Sequence, residues 1–145
     1  MGAMRWLWLA ALVACGDRRI VRVQIDAGNP VFTVEHTLPS EEGVADSLSV
    51  DADGRIAVGS LRGHVQVYDR HGEELLHATS WPSGIYRILL DDDRVAAISV
   101  SGILRVWDVR TGLLIGQTRP GPASFAFIGD SLRVAGSQLV DLTVP

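Results

Sequence analysis

The sequence of 145 residues contains no lysine, and all 13 of its basic residues are arginine. Without lysine there is no side-chain amine for a Schiff base and no lysine for a phosphate-binding loop, so several enzyme classes are excluded. The arginines are scattered along the chain, and the formal net charge is −4. Because nucleic-acid binding normally needs a clustered basic face, nucleic acid is not expected as a partner.

Cysteine and helical periodicity are also scarce. The single cysteine, Cys15, excludes an intramolecular disulfide. No stretch after Cys15 repeats its apolar residues at the spacing of a helix. Hydrophobic residues make up 47% of the chain and charged residues 21%, which is typical of a folded globular protein. The composition therefore predicts a folded domain, and the missing helical period predicts that this domain has no helices.

The first fifteen residues, MGAMRWLWLAALVAC, have the layout of a secretory signal. Arg5 supplies a positive charge, and residues 6–14 are apolar. This run is too short to cross a hydrocarbon core, which needs about 20 residues, but it suits the apolar region of a signal peptide, about 7–15 residues long. Its end, Leu12-Val13-Ala14-Cys15, resembles the lipobox of bacterial lipoproteins.

That resemblance implies lipidation at Cys15. Residues 1–14 would be removed as the signal peptide, Cys15 would carry the acyl chains, and residues 15–19 would form a short tether. Two or more acyl chains anchor a protein firmly to a membrane. Gly16 stands where the inner-membrane retention pattern has aspartate, so the resemblance favours the outer membrane of a bacterial envelope. A plain secretory signal, or a buried strand with an incidental cysteine, remain as alternatives.

A repeated unit organises the rest of the chain. Residues 101–112, SGILRVWDVRTG, combine a glycine turn, a short alternating strand and an aromatic–aspartate pair, and residues 61–72, LRGHVQVYDRHG, follow the same pattern one unit earlier. Three evenly spaced arginines, Arg55, Arg94 and Arg133, each begin a similar segment. A period of about 40 residues built from short strands is typical of propeller blades.

Short strands separated by turn signals extend over the whole region. The pattern predicts strands of a few residues with turns every 8–12 residues, which indicates an all-β fold. Two units are complete, at about 44–80 and 84–118, and two are partial, at 20–37 and 123–145. We therefore predict a partial or small β-propeller-like array of four-stranded antiparallel blades, equivalent to about three blades, over residues 20–145.

The repeats resemble WD-repeat blades or the related quinoprotein-like blades. The resemblance implies that the aromatic–aspartate pairs are the structural motif of each blade: Tyr68 and Asp69, and Trp107 and Asp108. The chain departs from the family because the Gly-His dipeptide before the first strand is missing and the usual aspartate of the following turn is replaced. We therefore expect Asp69 and Asp108 to cap turns, and Trp107 to pack in the core.

The number of blades is low for a closed propeller, which typically has 4–8. Three arrangements are consistent with this: a truncated product of a larger propeller, an open array of sheets, or a homodimer that completes a six-bladed ring. An open array would expose strand edges that can pair with another chain.

Four groups of residues could suggest chemistry, but local turn structure explains each of them. Ser131 lies in a Gly-Asp-Ser-Leu sequence similar to the nucleophile motif of esterases, yet no histidine follows it. The histidines lack the short pairing typical of zinc sites. The acidic residues occupy predicted hairpin turns. These candidates are His64, His71 and His77 for metal, Asp91–Asp93 for calcium, and Asp51 with Asp53 for acid–base chemistry.

The sequence thus predicts a non-catalytic lipoprotein that presents propeller-like blades to a protein partner, with no cofactor and no bound metal. The aromatic Trp81, beside a proline in the loop before the second complete unit, could contact that partner or pack between blades. The alternatives are a truncated fragment of a larger propeller and a quinoprotein-like enzyme or redox subunit.

Overall fold

β-Strands form all the regular structure of the described residues. The computed structural model describes residues 18–26, 29–38, 44–79, 83–136 and 139–143, and for 18–38, 139, 140 and 142 the backbone alone. Thirteen strands in these ranges form four antiparallel sheets. The predicted all-β class with four-stranded antiparallel sheets is confirmed. These same residues contain no helix that could span a membrane.

A two-stranded hairpin comes first. β1 (Arg18–Asp26) pairs with β2 (Asn29–Leu38). β1 begins within the segment expected to be a tether, so the strand starts ahead of the predicted domain boundary at residue 20. Pro30 lies at the second position of β2, opposite Ile25. Proline is tolerated there because it stands at the start of a strand on the edge of a sheet.

Three further sheets follow, which we call the first, second and third blades. In the first two, the strands pair in chain order; in the third, the described residues form three strands. The first blade contains β3 (Ala45–Val50), β4 (Ile56–Ser60), β5 (His64–Tyr68) and β6 (Glu74–Thr79). The second contains β7 (Ile85–Asp91), β8 (Arg94–Ser99), β9 (Leu104–Asp108) and β10 (Leu114–Thr118). The third contains β11 (Ser124–Ile128), β12 (Ser131–Ala135) and β13 (Leu139–Thr143).

The third blade does not keep the register that the sequence repeat indicated. β8 begins at Arg94 directly after a tight turn, and β12 begins at Ser131 directly after the turn at 129–130. Ser131 therefore takes the position that the repeat assigned to Arg133, and the echo at Arg133 is out of register by two. The position of the turn decides this, because Ile128 pairs with Ser131 as Asp91 pairs with Arg94. A shift of two residues leaves the same side chains facing the core, so Leu132 and Val134 are buried while Arg133 is exposed.

The core lies between the faces of neighbouring blades. Alternate residues of β4, β5, β7, β8 and β9 form one apolar cluster between the first and second blades, which includes Val65, Val67, Ile85, Val95 and Trp107. A second cluster joins the second and third blades through Ala96, Ile98, Leu104, Phe125, Leu132 and Val134. Strands buried on both faces carry apolar residues at consecutive positions, which explains the run of buried residues in β4 and β8.

Gly59 is required where β4 meets the second blade. A Cβ at this position would lie 2.4 Å from Ser47 Oγ and 2.6 Å from Ile85 Cγ2. Both distances are well below normal carbon contact, so any side chain here would push the two sheets apart. The close approach fixes the spacing between the first and second blades.

Candidate interaction surface

The two aspartates of the repeated motif, Asp69 and Asp108, cap the turns that join the third and fourth strands of the first and second blades. Asp69 Oδ1 accepts hydrogen bonds from the backbone N–H groups of His71 (2.8 Å) and Glu73 (2.9 Å). Asp108 Oδ1 accepts from both the backbone N–H (2.8 Å) and the hydroxyl (2.9 Å) of Thr111. The pKa of Asp69 is lowered from its ordinary value, chiefly by the hydrogen bond from the Glu73 backbone N–H. The bonds from Thr111 lower the pKa of Asp108.

The aromatic residues of the motif are buried beside these turns. Tyr68 and Trp107 are 3% and 5% exposed. Trp107 belongs to the cluster between the first and second blades, and Tyr68 belongs to a smaller cluster with Ile56 and Val58 on the opposite face of the first blade. The four residues of the predicted blade motif therefore have structural positions, two in the core and two in turns.

Arginines tie each blade to the next at the end of the array where β3 joins β4. Arg55 donates to the carboxylate of Asp93 (3.1 Å) and to the backbone carbonyl of Asp92 in the second blade. Arg94, its counterpart in the second blade, donates to the carbonyl of Gly129 in the third (2.7 Å). The repeated arginines are visible in the sequence, but these partners are not, because they lie in the neighbouring blade.

Hydroxyl groups tie the blades together at the opposite end. Ser47 Oγ donates to the carbonyl of Ile85 (3.1 Å). Tyr86 Oη both donates to the carbonyl of Ala123 (3.2 Å) and accepts from its N–H (3.1 Å). Each seam between blades is therefore held by hydroxyl groups at one end and by an arginine at the other, and the array is fixed at both ends.

The two ends of the array differ in chemistry. We call the end with the β3–β4, β5–β6, β7–β8 and β9–β10 turns the acidic end, because its turns carry Asp53, Asp69, Asp92, Asp93 and Asp108. At the other end, the turns at 61–63 and 100–103 and the connection at 119–123 contain no aspartate or glutamate. We call this second end the apolar end, after its exposed aliphatic side chains; Arg62 and Arg119 are also exposed there.

Two apolar side chains project at equivalent positions of the apolar end. Leu61 is 51% exposed and Val100 is 65% exposed, and each begins the turn between the two middle strands of its blade. Their backbones are held in the same way, because Leu61 N–H donates to the Val44 carbonyl (2.9 Å) and Val100 N–H donates to the Gly84 carbonyl (2.8 Å). Val44 is itself 49% exposed. Sequence reasoning missed this surface, although the repeat relates Leu61 to Val100.

Two of the predicted site residues cannot be placed on this surface. Cys15 and Trp81 both lie outside the described residues. The loop that contains Trp81 leads into Ser83 and Gly84, and the Gly84 backbone packs against Leu61, where a Cβ would lie 3.0 Å from the Leu61 carbonyl oxygen. The loop thus ends at the apolar end.

Ser131 and the acidic candidates for chemistry lie in turns and at strand ends. Ser131 begins β12, opposite Ile128 and Thr143. The Asp51 carboxylate accepts from the backbone N–H of Asp53 (3.0 Å) and from the Arg55 side chain (2.6 Å).

The acidic turn at 91–93 is engaged by arginines. Asp91 pairs with Arg94 (3.2 Å), and Asp93 pairs with Arg55 (3.1 Å) and Arg110 (3.2 Å). These carboxylates therefore stabilise the turn and the seam between blades.

A groove of about 170 Å³ lies beside β13. In the first two blades a fourth strand follows the third, whereas β13 is the last described strand of its sheet. The groove is lined by the outer strands of the second blade and the end of β13: Leu104, Val106, Ile115, Gly116, Gln117, Thr118 and Thr143.

Comparison with known proteins agrees with this architecture. No protein-family model matches the sequence. Over 65 residues, 43% of this chain, it is 38% identical to the angio-associated migratory cell proteins of dog and human. The chain spans about 15% of the length of these curated relatives.

Solved structures give a similar result over more of the chain. The C-terminal WD40 domain of Sif2 superposes with a TM-score of 0.72 over 88% of this chain and 40% of that domain, at 14% identity. The computationally designed Ika4 protein superposes with a TM-score of 0.55 over 71% of this chain and 74% of its own, at 18% identity. The chain therefore has a WD40-like β-propeller fold, present as a partial array of blades.

Proposed function

We propose that the chain is a protein-interaction scaffold that binds its partner through the apolar end of the blades. The observation that carries this proposal is the repeated exposure of Leu61 and Val100 at equivalent, hydrogen-bonded positions of adjacent blades. Two exposed aliphatic side chains on turns without carboxylates suit a partner surface that is itself apolar at its centre.

The stacked blades give this surface a fixed shape. The connections that carry Leu61 and Val100 rise from sheets whose facing residues are buried and whose seams are bonded at both ends. A rigid scaffold that presents short loops loses little conformational entropy when it binds, so more of the contact energy is retained as affinity.

Anchoring through Cys15 would place the scaffold at a bacterial outer membrane. The support for this part is the sequence of residues 1–15, with its positive charge, short apolar run and terminal cysteine. A lipid on Cys15 would hold the blades near the membrane and raise the local concentration of the scaffold for a partner in the same envelope.

Paired substitutions at the two ends test the interaction surface. The double variant Leu61→Ser, Val100→Ser removes both side chains from the apolar end, and Leu113→Ser, at a leucine 63% exposed on the acidic end, is the matched control. After chemical crosslinking in cells, each variant is purified and its crosslinked proteins are compared. We expect the double variant to lose a crosslinked protein that the wild type and Leu113→Ser retain. Equal crosslinking by all three proteins would contradict the proposal.

The anchor is tested separately. Cys15→Ser should move the protein from the membrane fraction to the periplasm and abolish labelling by a radioactive fatty acid. A variant that still sediments with membranes would show that Cys15 is not the anchor, while leaving the interaction surface to be judged on its own experiment.

A second copy of this chain is a further candidate partner. Among the described strands, β13 pairs only with β12, and its last residue, Thr143, lines the groove beside the second blade. A strand from another copy could pair with the other edge of β13 by β-augmentation and fill the groove. Sedimentation equilibrium at tens of micromolar should then give twice the mass of a single chain. A single-chain mass would refute the homodimer.

A further inference from the structure

Two histidines of the first blade lie side by side although they are distant in the sequence. His64 begins β5, and His77 lies in β6 directly opposite Gln66. Residues two apart on a strand share a face, so His64 and His77 are diagonal neighbours on one face of the sheet. Nδ1 of His64 and Nε2 of His77 are 3.4 Å apart.

This separation matches the spacing of two ligands around a tetrahedral metal ion. With metal–nitrogen bonds of about 2.0–2.1 Å, two nitrogens bound to one tetrahedral zinc ion lie roughly 3.3–3.4 Å apart. The ring centroids are 5.6 Å apart and the ring planes cross at 61°, so the rings meet at their edges and do not stack. The two nitrogens share a hydrogen bond in this arrangement, and a metal ion bound by both would take the place of its proton.

A carboxylate supports His77 from the other side of its ring. Glu74 Oε1 lies 3.8 Å from His77 Nδ1, the nitrogen that does not face His64. The other oxygen of Glu74 accepts a hydrogen bond from Gln66 Nε2 (3.0 Å), and Gln66 is buried. The 3.8 Å separation is longer than a hydrogen bond, so Glu74 would have to move closer to accept from Nδ1. Metal-binding histidines usually direct their second nitrogen to a carboxylate, which fixes the ring and raises its basicity.

We propose that His64 Nδ1 and His77 Nε2 bind a divalent transition-metal ion such as Zn²⁺, with Glu74 orienting His77. Within the described residues no group of three or more His, Cys, Asp or Glu could hold a metal ion, so this site has two protein ligands. Its remaining positions are open to water or to a donor group from another molecule. His71 takes no part, because it lies on the β5–β6 turn where its Nε2 accepts a hydrogen bond from Arg70 (3.0 Å).

Calorimetric titration of the full chain with zinc sulfate, in mild detergent, tests the site. The wild type should bind one zinc ion per chain, and its unfolding temperature should rise with zinc, since a ligand that binds only the folded state stabilises it. His64→Gln and His77→Gln should each weaken binding by at least about tenfold, because even the loss of an outer carboxylate costs about 10–100-fold. His71→Gln is the matched control and should bind as the wild type does.

A further variant keeps the test decisive if a histidine variant does not fold. Glu74→Gln retains both ligands and should weaken zinc binding by about 10–100-fold through His77 alone. Circular dichroism with a chelator present shows whether each variant is folded before zinc is added. The proposal is overturned if the wild type binds no zinc, if His71→Gln loses as much affinity as His64→Gln, or if Glu74→Gln binds as tightly as the wild type.

Discussion

Truncation of Ile98 to alanine should destabilise the fold strongly, because this side chain fills the seam between the second and third blades. Ile98 is 0% exposed and belongs to the cluster that contains Leu132 and Val134. The substitution removes three carbons, each worth about 0.8 kcal/mol when buried, or about 2.4 kcal/mol in transfer free energy. The cavity that remains raises the expected loss in unfolding free energy to about 3–4 kcal/mol, within the usual range of about 2–5 for such changes.

Urea denaturation followed by circular dichroism measures this loss, with Ile128→Ala as the matched control. Ile128 is 52% exposed at the end of β11, so its truncation should cost less than about 0.5 kcal/mol. In thermal unfolding, Ile98→Ala should lower the midpoint by roughly 10 °C at about 3 °C per kcal/mol. If Ile98→Ala costs no more than Ile128→Ala, the third blade does not pack on the second.

Two further changes test the spacing of the blades and the turn caps. Gly59→Ala should lower the unfolding free energy by about 1–3 kcal/mol, because its Cβ would overlap Ile85. The control Gly116→Ala should change the unfolding free energy by less than about 0.5 kcal/mol, because its Cβ would lie 3.8 Å from its nearest neighbour. Equal effects of the two variants in urea denaturation would contradict the close approach at Gly59. The hydrogen bonds from Thr111 lower the pKa of Asp108 in the folded state. The ionised carboxylate therefore stabilises the fold at pH values above its unfolded pKa of about 3.9. This stabilisation is lost as the pH falls through the lower pKa of the folded state. The difference in unfolding free energy between the wild type and Asp108→Asn should therefore narrow as the pH is lowered from 7 to about 3, and a difference that is constant or grows would refute the capping role.

Most strands could be predicted from the sequence because their limits are set locally. β5, β6, β8 and β11 each adjoin a turn that contains glycine or aspartate, and these residues mark the turns in the sequence. The WD-repeat resemblance, drawn from the spacing of Tyr68 and Trp107, led to the correct fold.

Features that depend on contacts between distant segments could not be predicted. The spacing of His64 and His77 argued against a shared site, because only the pairing of β5 with β6 brings them together. Likewise, two partners of Arg55, Asp92 and Asp93, lie far along the chain in the next blade.

Site-specific photo-crosslinking in cells tests the interaction surface most directly. A photoreactive amino acid is introduced singly at residues 61, 100 and 113, the first two at the apolar end and the third at the acidic end. The scaffold proposal predicts that positions 61 and 100 give the same crosslinked protein and that position 113 does not. Crosslinking from position 113 alone, or with equal yield from all three positions, would show that the apolar end is not where the partner binds.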